Sequence, residues 1–397
     1  MRCKALPILS LCLAALVTLL PLPAQADRAF DQHVRSVLAE HRVPGAAWAI
    51  IRDGELVHVG THGVRDLANP EPVTPDTVFR VASVSKTFAA QLTALLVREG
   101  RLDWNDPVHR FVPELAFADP ALSAQLEIWH LLSHTSGIVP NAYDNLLNAN
   151  QPVDRILPQF ANLSPMCQPG TCYTYQNVLF ALVGPAIEQV SGQYYDDLLA
   201  YRLFQPLGMS NASSGLQGYL AADNRARPHV RRSQTVWVPT EVTQNYYHVS
   251  PAAGVNASVL DLSTWVKAQL GQRPDVIPPG LVDEVTVKRV RTLRDLRRRG
   301  WRDMLDNAHY GLGWRIYTVG GEDIVMHSGW VRGFVADIAF SRDRRSGLVV
   351  LLNAESSALS EITTAFWADE LSRPLQLMVD SDQPLVPAEP AAVQGGD

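Results

Sequence analysis

Ser83 and Lys86 open a helical pattern that runs from Phe79 to Glu99, in the order Ser83-Val84-Ser85-Lys86. Three residues is just under one helical turn, so this spacing sets the lysine amine beside the serine hydroxyl. A hydroxyl becomes a nucleophile when a base stands next to it, and a lysine kept neutral in a dry pocket can be that base. The chain has four lysines (Lys4, Lys86, Lys267 and Lys288) against thirty arginines. Arginine stays protonated and cannot take the proton, which makes a lysine at this spot informative. An S-x-x-K also arises by chance on solvated helices, so other residues must decide. Tyr175-Gln176-Asn177 lies immediately before a second apolar helix. A phenol near an ammonium group can have its pKa lowered and shuttle a proton, while Asn177 can hold a substrate amide. The same spacing recurs at Tyr143-Asp144-Asn145, which reads as a decoy in a polar loop with no helix behind it. His327-Ser328-Gly329 ends a predicted strand, where an extended amide substrate can pair in β fashion, and Gly329 leaves that approach clear. Alone, each of these last elements is ordinary: a core tyrosine, and a histidine at a strand end.

These residues need elements to hold them. Ala29 to His41 has helical periodicity. Ala46–Ile51 and Glu55–Gly60 read as strands joined at Asp53-Gly54, a strong hairpin signal. From Gly100 to about residue 270 the pattern is mostly helical, with clear helices at Val178–Val190 and Tyr194–Phe204. Strand patterns return at Gly313–Val319, Asp323–His327, Phe334–Ser341 and Gly347–Leu352, and a helix follows from Leu359 to Met378. The predicted fold is therefore α+β. N- and C-terminal segments (about 27–80 and 305–378) build one antiparallel sheet flanked by helices, and a mostly helical part, about 81–304, is inserted between them. Residues 379–397 read as a disordered Pro- and Ala-rich tail.

The first 26 residues read as a secretory signal, with Arg2 and Lys4, an apolar core from Ile8 to Leu20, and Ala24-Gln25-Ala26 as the cleavage site. That core is too short for a spanning helix. Cys12 would suit lipid attachment, but Leu11 before it is bulky. Removing the leader takes the formal charge from −6 to −8, a balance that argues against a nucleic-acid partner. It also removes Cys3 and Cys12. Cys167 and Cys172, around a Pro-Gly turn, then read as a disulfide in an exported chain rather than half a metal site. Lys288–Arg302 carries eight basic residues in fifteen and reads as a solvated helix or loop, or as a contact to anionic wall or outer-membrane polymer. His130 and His134 have a zinc-compatible spacing, but the glutamate and third ligand of a metalloprotease are missing, and neither a metal nor a cofactor is expected. No G-x-S-x-G occurs, which argues against an α/β-hydrolase.

The ordered motifs resemble the serine β-lactamase and penicillin-binding-protein superfamily, specifically its class C β-lactamase-like branch, over most of the chain. Phe79 to Lys86 is similar to the nucleophile segment, and Leu131-Leu132-Ser133-His134-Thr135-Ser136-Gly137 to a helix-to-loop segment. Tyr175-Gln176-Asn177 with Pro206-Leu207-Gly208-Met209 resembles the second motif. Tyr310-Gly311-Leu312-Gly313-Trp314, His327-Ser328-Gly329 and Gly333-Phe334 resemble the C-terminal sheet region.

The resemblance implies an acyl-enzyme mechanism. Ser83 would attack a carbonyl, Lys86 and Tyr175 would share the base work, and Asn177 would orient the acyl group. His327, Ser328 and Gly329 would contact substrate, and the backbone N–H groups of Ser83 and Trp330 would form the oxyanion hole. One departure matters. His327 stands where class C enzymes carry a charged lysine, and an imidazole with a pKa near 6.5 is only partly charged. If His327 supplied that charge, activity on anionic substrates would decline between about pH 6 and 8. The expectation is a periplasmic or secreted serine hydrolase, with a monomer favoured, acting on a β-lactam or cell-wall D-peptide. A carboxylesterase and a non-catalytic penicillin-binding sensor are the alternatives.

Overall fold

A computed structural model describes residues 22–375, with side chains from residue 27 onward. The tail at 379–397, Cys3, Cys12 and most of the leader lie outside the described residues.

The core of the molecule is an eight-stranded antiparallel sheet. Its strands are β1 (Gly45–Arg52), β2 (Glu55–Gly63), β3 (Val290–Arg291), β4 (Asn307–Tyr310), β5 (Arg315–Val319), β6 (Glu322–Val331), β7 (Phe334–Ser341) and β8 (Ser346–Leu352). They lie in the order β2-β1-β8-β7-β6-β5-β4-β3. The N- and C-terminal segments thus meet at the β1–β8 ladder, where Ala46 faces Leu352, as the strand pattern predicts. Strands β3 and β4 were not legible as strands.

Every residue of β1, β7 and β8 is buried, because both faces of the sheet are covered. Alternation sorts the side chains between two cores. Ala47, Ala49, Ile51, Val325, Val331, Val349 and Leu351 join the larger core shared with the helical part. Ala46, Trp48, Ile50, Ile324, Met326, Val350 and Leu352 join a second core against α1 (Leu22–Glu40) and the C-terminal α4 (Ala358–Ser372). This parity matters for β6. His327 and Gly329 fall on the face toward the helical part, and Ser328 falls on the other.

The segment carrying Ser83 and Lys86 is less regular than a continuous helix. Phe79–Arg80 forms a short strand paired to Val255–Ala257, a 3₁₀ turn follows at Ala82–Val84, and α2 runs over Ser85–Arg98. Ala82 sits at φ +49°, so the chain turns sharply into α2 at the residue before Ser83. The helix Val259–Gln269, designated α3, lies within the stretch assigned to the helical part but packs on the sheet. Its Val266 lies against Gly347 of β8. Tyr195–Leu199 continues as a π-helical turn through Phe204.

Candidate active site

Lys86 is entirely buried in the first turn of α2, and its amine has three oxygen neighbours. Asn177 Oδ1 lies at 2.8 Å, the Ala252 carbonyl at 3.0 Å and Ser83 Oγ at 3.1 Å. The Tyr175 and Phe180 rings close the pocket, with centroids 4.8 and 5.3 Å from the nitrogen. Desolvation pushes the amine well below its usual 10.5; Asp144 pulls it back up, and the Arg315 charge pushes it down again. A neutral amine has two N–H bonds and one lone pair. Asn177 Oδ1 and Ala252 C=O can only accept, so they take the two N–H bonds and leave the lone pair for the Ser83 proton.

Tyr175 approaches Ser83 from the other side, and its phenol donates to Ser83 Oγ at 2.8 Å. The expected lowering of this phenol does not occur. Burial dominates and pushes Tyr175 up to about 12, outweighing the Ser83 hydrogen bond and the Arg315 charge. It is a neutral donor at physiological pH.

The segment that delivers Tyr175 is pinned from both sides. Cys167 and Cys172 form the disulfide expected from their spacing. Within that loop the Gly170 N–H donates to Thr135 O, and beside it the Met166 N–H donates to Gly137 O. The Gln176 N–H donates to His134 Nδ1 at 3.2 Å, and the His134 ring lies 4.2 Å from that of Tyr175. His130 Nδ1 accepts the Glu127 N–H at 3.0 Å, closing a helix cap. Both histidines therefore have local structural partners.

His327 faces this cluster, but it carries no charge. Burial first, then Arg315 and Lys86, depress its imidazole well below 6.5. Its Nε2 lies 2.9 Å from Tyr310 O–H and its Nδ1 lies 2.9 Å from Ser328 O, which suits a neutral ring accepting from the tyrosine and donating to the carbonyl. The partly charged histidine expected from the sequence is thus corrected.

Ser328 does not join the cluster. Its hydroxyl donates to Asp337 at 2.7 Å and accepts from Arg298 at 2.9 Å on the opposite face. Arg298 comes from the basic stretch read as solvated. That stretch is largely loop, broken by a two-residue strand and a 3₁₀ turn, and six of its eight basic side chains are exposed as expected, whereas Arg298 is partly buried.

Gly329 crosses the nucleophile turn so closely that a Cβ there would lie 2.0 Å from Val81 O. The β5–β6 ladder ends at Arg315 opposite Met326, so among the described residues the segment 327–331 has one unpaired edge. Trp330, on that edge, is 69% exposed. An extended substrate could add there as a strand, close to Ser83.

Three residues that sequence reasoning did not assign to the site, Arg315, Asp295 and Asp144, complete it. Arg315 is paired with Asp295 and lies 5.5–5.9 Å from the Tyr173, Tyr175 and Tyr310 rings. Asp144 Oδ2 accepts from Asn177 Nδ2 at 2.8 Å. The supposed decoy is thus drawn into the site by its middle residue, and a short helix, Asp144–Asn148, does stand behind Tyr143. The Tyr310-Gly311 stretch was visible as a motif, Asp144 only within the triplet read as a decoy, and nothing in the sequence marked Asp295 or Arg315.

The family model named Beta-lactamase matches residues 30–371. The chain belongs to the beta-lactamase family. Among its relatives, it is 25% identical over 79% of its length to the unguisins hydrolase ungD' of Aspergillus campestris, covering 59% of that protein. It is 36% identical to penicillin-binding protein 4 of Amycolatopsis lactamdurans over 45% of its own length and 47% of that protein. Protein flp of Staphylococcus aureus matches at 25% over 85% of this chain and 65% of its own. The chain therefore spans about half to two thirds of these relatives. The octameric penicillin-binding protein homologue from Pyrococcus abyssi shares the beta-lactamase/transpeptidase-like fold, with TM-score 0.76, 25% identity, and coverage of 87% of this chain and 77% of that one.

Proposed function

We propose that this protein is an exported serine hydrolase of class C-like design that works through an acyl-Ser83 intermediate. One observation carries the reading: a fully buried Lys86 amine 3.1 Å from Ser83 Oγ, whose other two neighbours are pure acceptors. Ser83 Oγ bonds to the substrate carbonyl carbon as its proton passes to Lys86. The carbonyl oxygen becomes an oxyanion beside the Ser83 and Trp330 backbone N–H groups, and each such donor typically contributes about 3–4 kcal/mol to the transition state. The bond to the leaving nitrogen or oxygen then breaks, and the Tyr175 phenol gives that atom its proton. The Lys86 ammonium then returns the proton to the phenolate, directly or through a water, which leaves the amine neutral and Ser83 Oγ as the ester oxygen. Water next attacks the acyl ester, losing its proton to neutral Lys86, and Ser83 departs with a proton restored.

The substrate class that best suits the unpaired edge of β6 is an amide of β-lactam or cell-wall D-peptide type, met in the periplasm or outside the cell after the leader is removed. A hydrolase and a penicillin-binding protein among the relatives support this. The neutral His327 favours a second reading, a carboxylesterase, because an ester requires no charged recognition at that motif. A chromogenic cephalosporin, a short-chain nitrophenyl ester and a D-Ala-D-Ala peptide, assayed with intact-mass detection of the adduct, separate these readings. A sensor would acylate once without turnover. Ser83→Ala should abolish every activity, and hydrolysis surviving in that variant would overturn the assignment.

A further inference from the structure

Asp144 lies outside the three motif segments, yet its carboxylate ends the hydrogen-bonded chain that begins at the nucleophile. The chain runs from Ser83 Oγ to Lys86 Nζ (3.1 Å), to Asn177 Oδ1 (2.8 Å), and from Asn177 Nδ2 to Asp144 Oδ2 (2.8 Å). We propose that Asp144 is a positioning residue for Lys86: acting through Asn177, it fixes which end of that amide faces the lysine and sets a negative charge behind it. This rests on the reading of Lys86 as the base.

A carboxylate accepts and never donates, so it selects the Nδ2 end of Asn177 and turns Oδ1 toward the lysine. With the amide reversed, its N–H would point at the amine and cap the lone pair intended for Ser83. Asp144 prevents that waste. Its charge has a second effect, because the lysine becomes an ammonium once it has taken the serine proton. A nearby carboxylate stabilises that ammonium and makes the amine a stronger base. The other Asp144 oxygen, Oδ1, is buried and makes no close hydrogen bond among the described residues, with the Tyr246 side chain near enough to favour the charged form only weakly. Few hydrogen bonds therefore offset the burial of this carboxylate, which desolvation pushes up to about 6.

The other groups facing the pair are accounted for. Around the lysine stand Tyr175, neutral His134 and neutral His327, with Arg315 behind the tyrosine rings paired to Asp295. Tyr246 faces Asp144 from the 245–249 turn. Asp144 is thus the anion that sets the lysine's proton affinity, opposed by burial and by Arg315.

The test reads the lysine directly. After leader removal only Lys86, Lys267 and Lys288 remain, so ¹³Cε-lysine NMR of the full mature chain resolves each titration, and loss of one signal in Lys86→Met assigns it. In Asp144→Asn the Lys86 midpoint should fall by about one pH unit, the lower end of the effect of a neighbouring charge. The acid limb of the pH–rate profile should move with it, and Asp144→Glu should restore both. Asp144→Ser repeats the measurement should the asparagine variant fold poorly. A purely structural Asp144 would alter melting and leave the midpoint alone. An unchanged midpoint in both variants overturns the proposal. A moved midpoint in a protein whose Ser83 never acylates would uphold Asp144's role and sink the hydrolase reading instead.

Discussion

Tyr175→Phe isolates one atom. The phenol oxygen makes a hydrogen bond to Ser83 Oγ at 2.8 Å, while the ring it leaves behind still packs 4.2 Å from His134 and 4.8 Å from the Lys86 amine. Loss of a single buried hydrogen bond costs about 1 kcal/mol. In a domain of this size that lowers the melting temperature by roughly 1–2 °C. Ser83 keeps Lys86 as a partner, so no buried hydroxyl is stranded. Activity should respond far more strongly. A positioned proton donor contributes roughly 10²- to 10⁴-fold, or about 3–5 kcal/mol of barrier at 1.36 kcal/mol per tenfold. The pH profile separates two roles for the phenol. A phenolate base would give wild type an acid limb belonging to Tyr175. A donor held up at about 12 gives no Tyr175 limb below about pH 10. The assay is acylation by an anilide or an alkyl ester, whose leaving group needs the proton that a nitrophenolate does not, followed across pH 5–10 with melting in parallel. If Tyr175→Phe retains more than about a third of wild-type acylation while folded, or if it removes an acid limb, the donor role is wrong.

His327 should contribute no limb between pH 6 and 8, so His327→Gln should keep the wild-type profile on a neutral ester; a limb near 6.5 that vanishes in the variant would contradict the neutral ring. Its folded pKa is depressed below the unfolded 6.5, so its contribution to stability is full above 6.5 and is lost as pH falls below it, when the unfolded chain binds the proton first. His327→Gln should therefore lose less melting temperature than wild type between pH 6.5 and 5. Gly313 has φ +72°, and a Cβ there would lie 2.5 Å from Lys86 O, so Gly313→Ala should cost about 2–3 kcal/mol in strain and displaced backbone. Melting lowered by roughly 3–4 °C with acylation slowed is the expected result, and an unchanged melting curve would mean that the helix start is not pinned there.

The fold was legible where patterning is strong. Residues 46–51 and 347–352 are unbroken apolar runs because both faces of the central sheet are covered, and such runs announce buried strands without depending on distant partners. Val290–Arg291 and Asn307–Tyr310 were missed because they are short, the first at the sheet edge and the second between it and β5. Their pairing is decided by where β5 lies, not by their own composition. Val259–Gln269 reads as one more helix of the inserted part, and only the folded chain lays Val266 against Gly347.

The site divides along the same line. Ser83 and Lys86 were legible because a helix makes a spacing of three into a contact, and local geometry carries the information. The state of each group was not, since it depends on what the rest of the chain brings near. Tyr175 was expected to be acidified by an ammonium; instead the pocket that strips water from Lys86 strips it from the phenol too, and burial raises one group as it lowers the other. The two shifts have one cause and lead to one division of labour. A site dry enough to keep a lysine neutral also keeps a tyrosine protonated, so the amine accepts the proton and the phenol donates it. His327 follows the same rule. In a dry pocket already facing the Arg315 charge a further cation is costly, so the imidazole stays neutral and Tyr310 donates to it. Any substitution that wets this pocket should therefore undo all three states together.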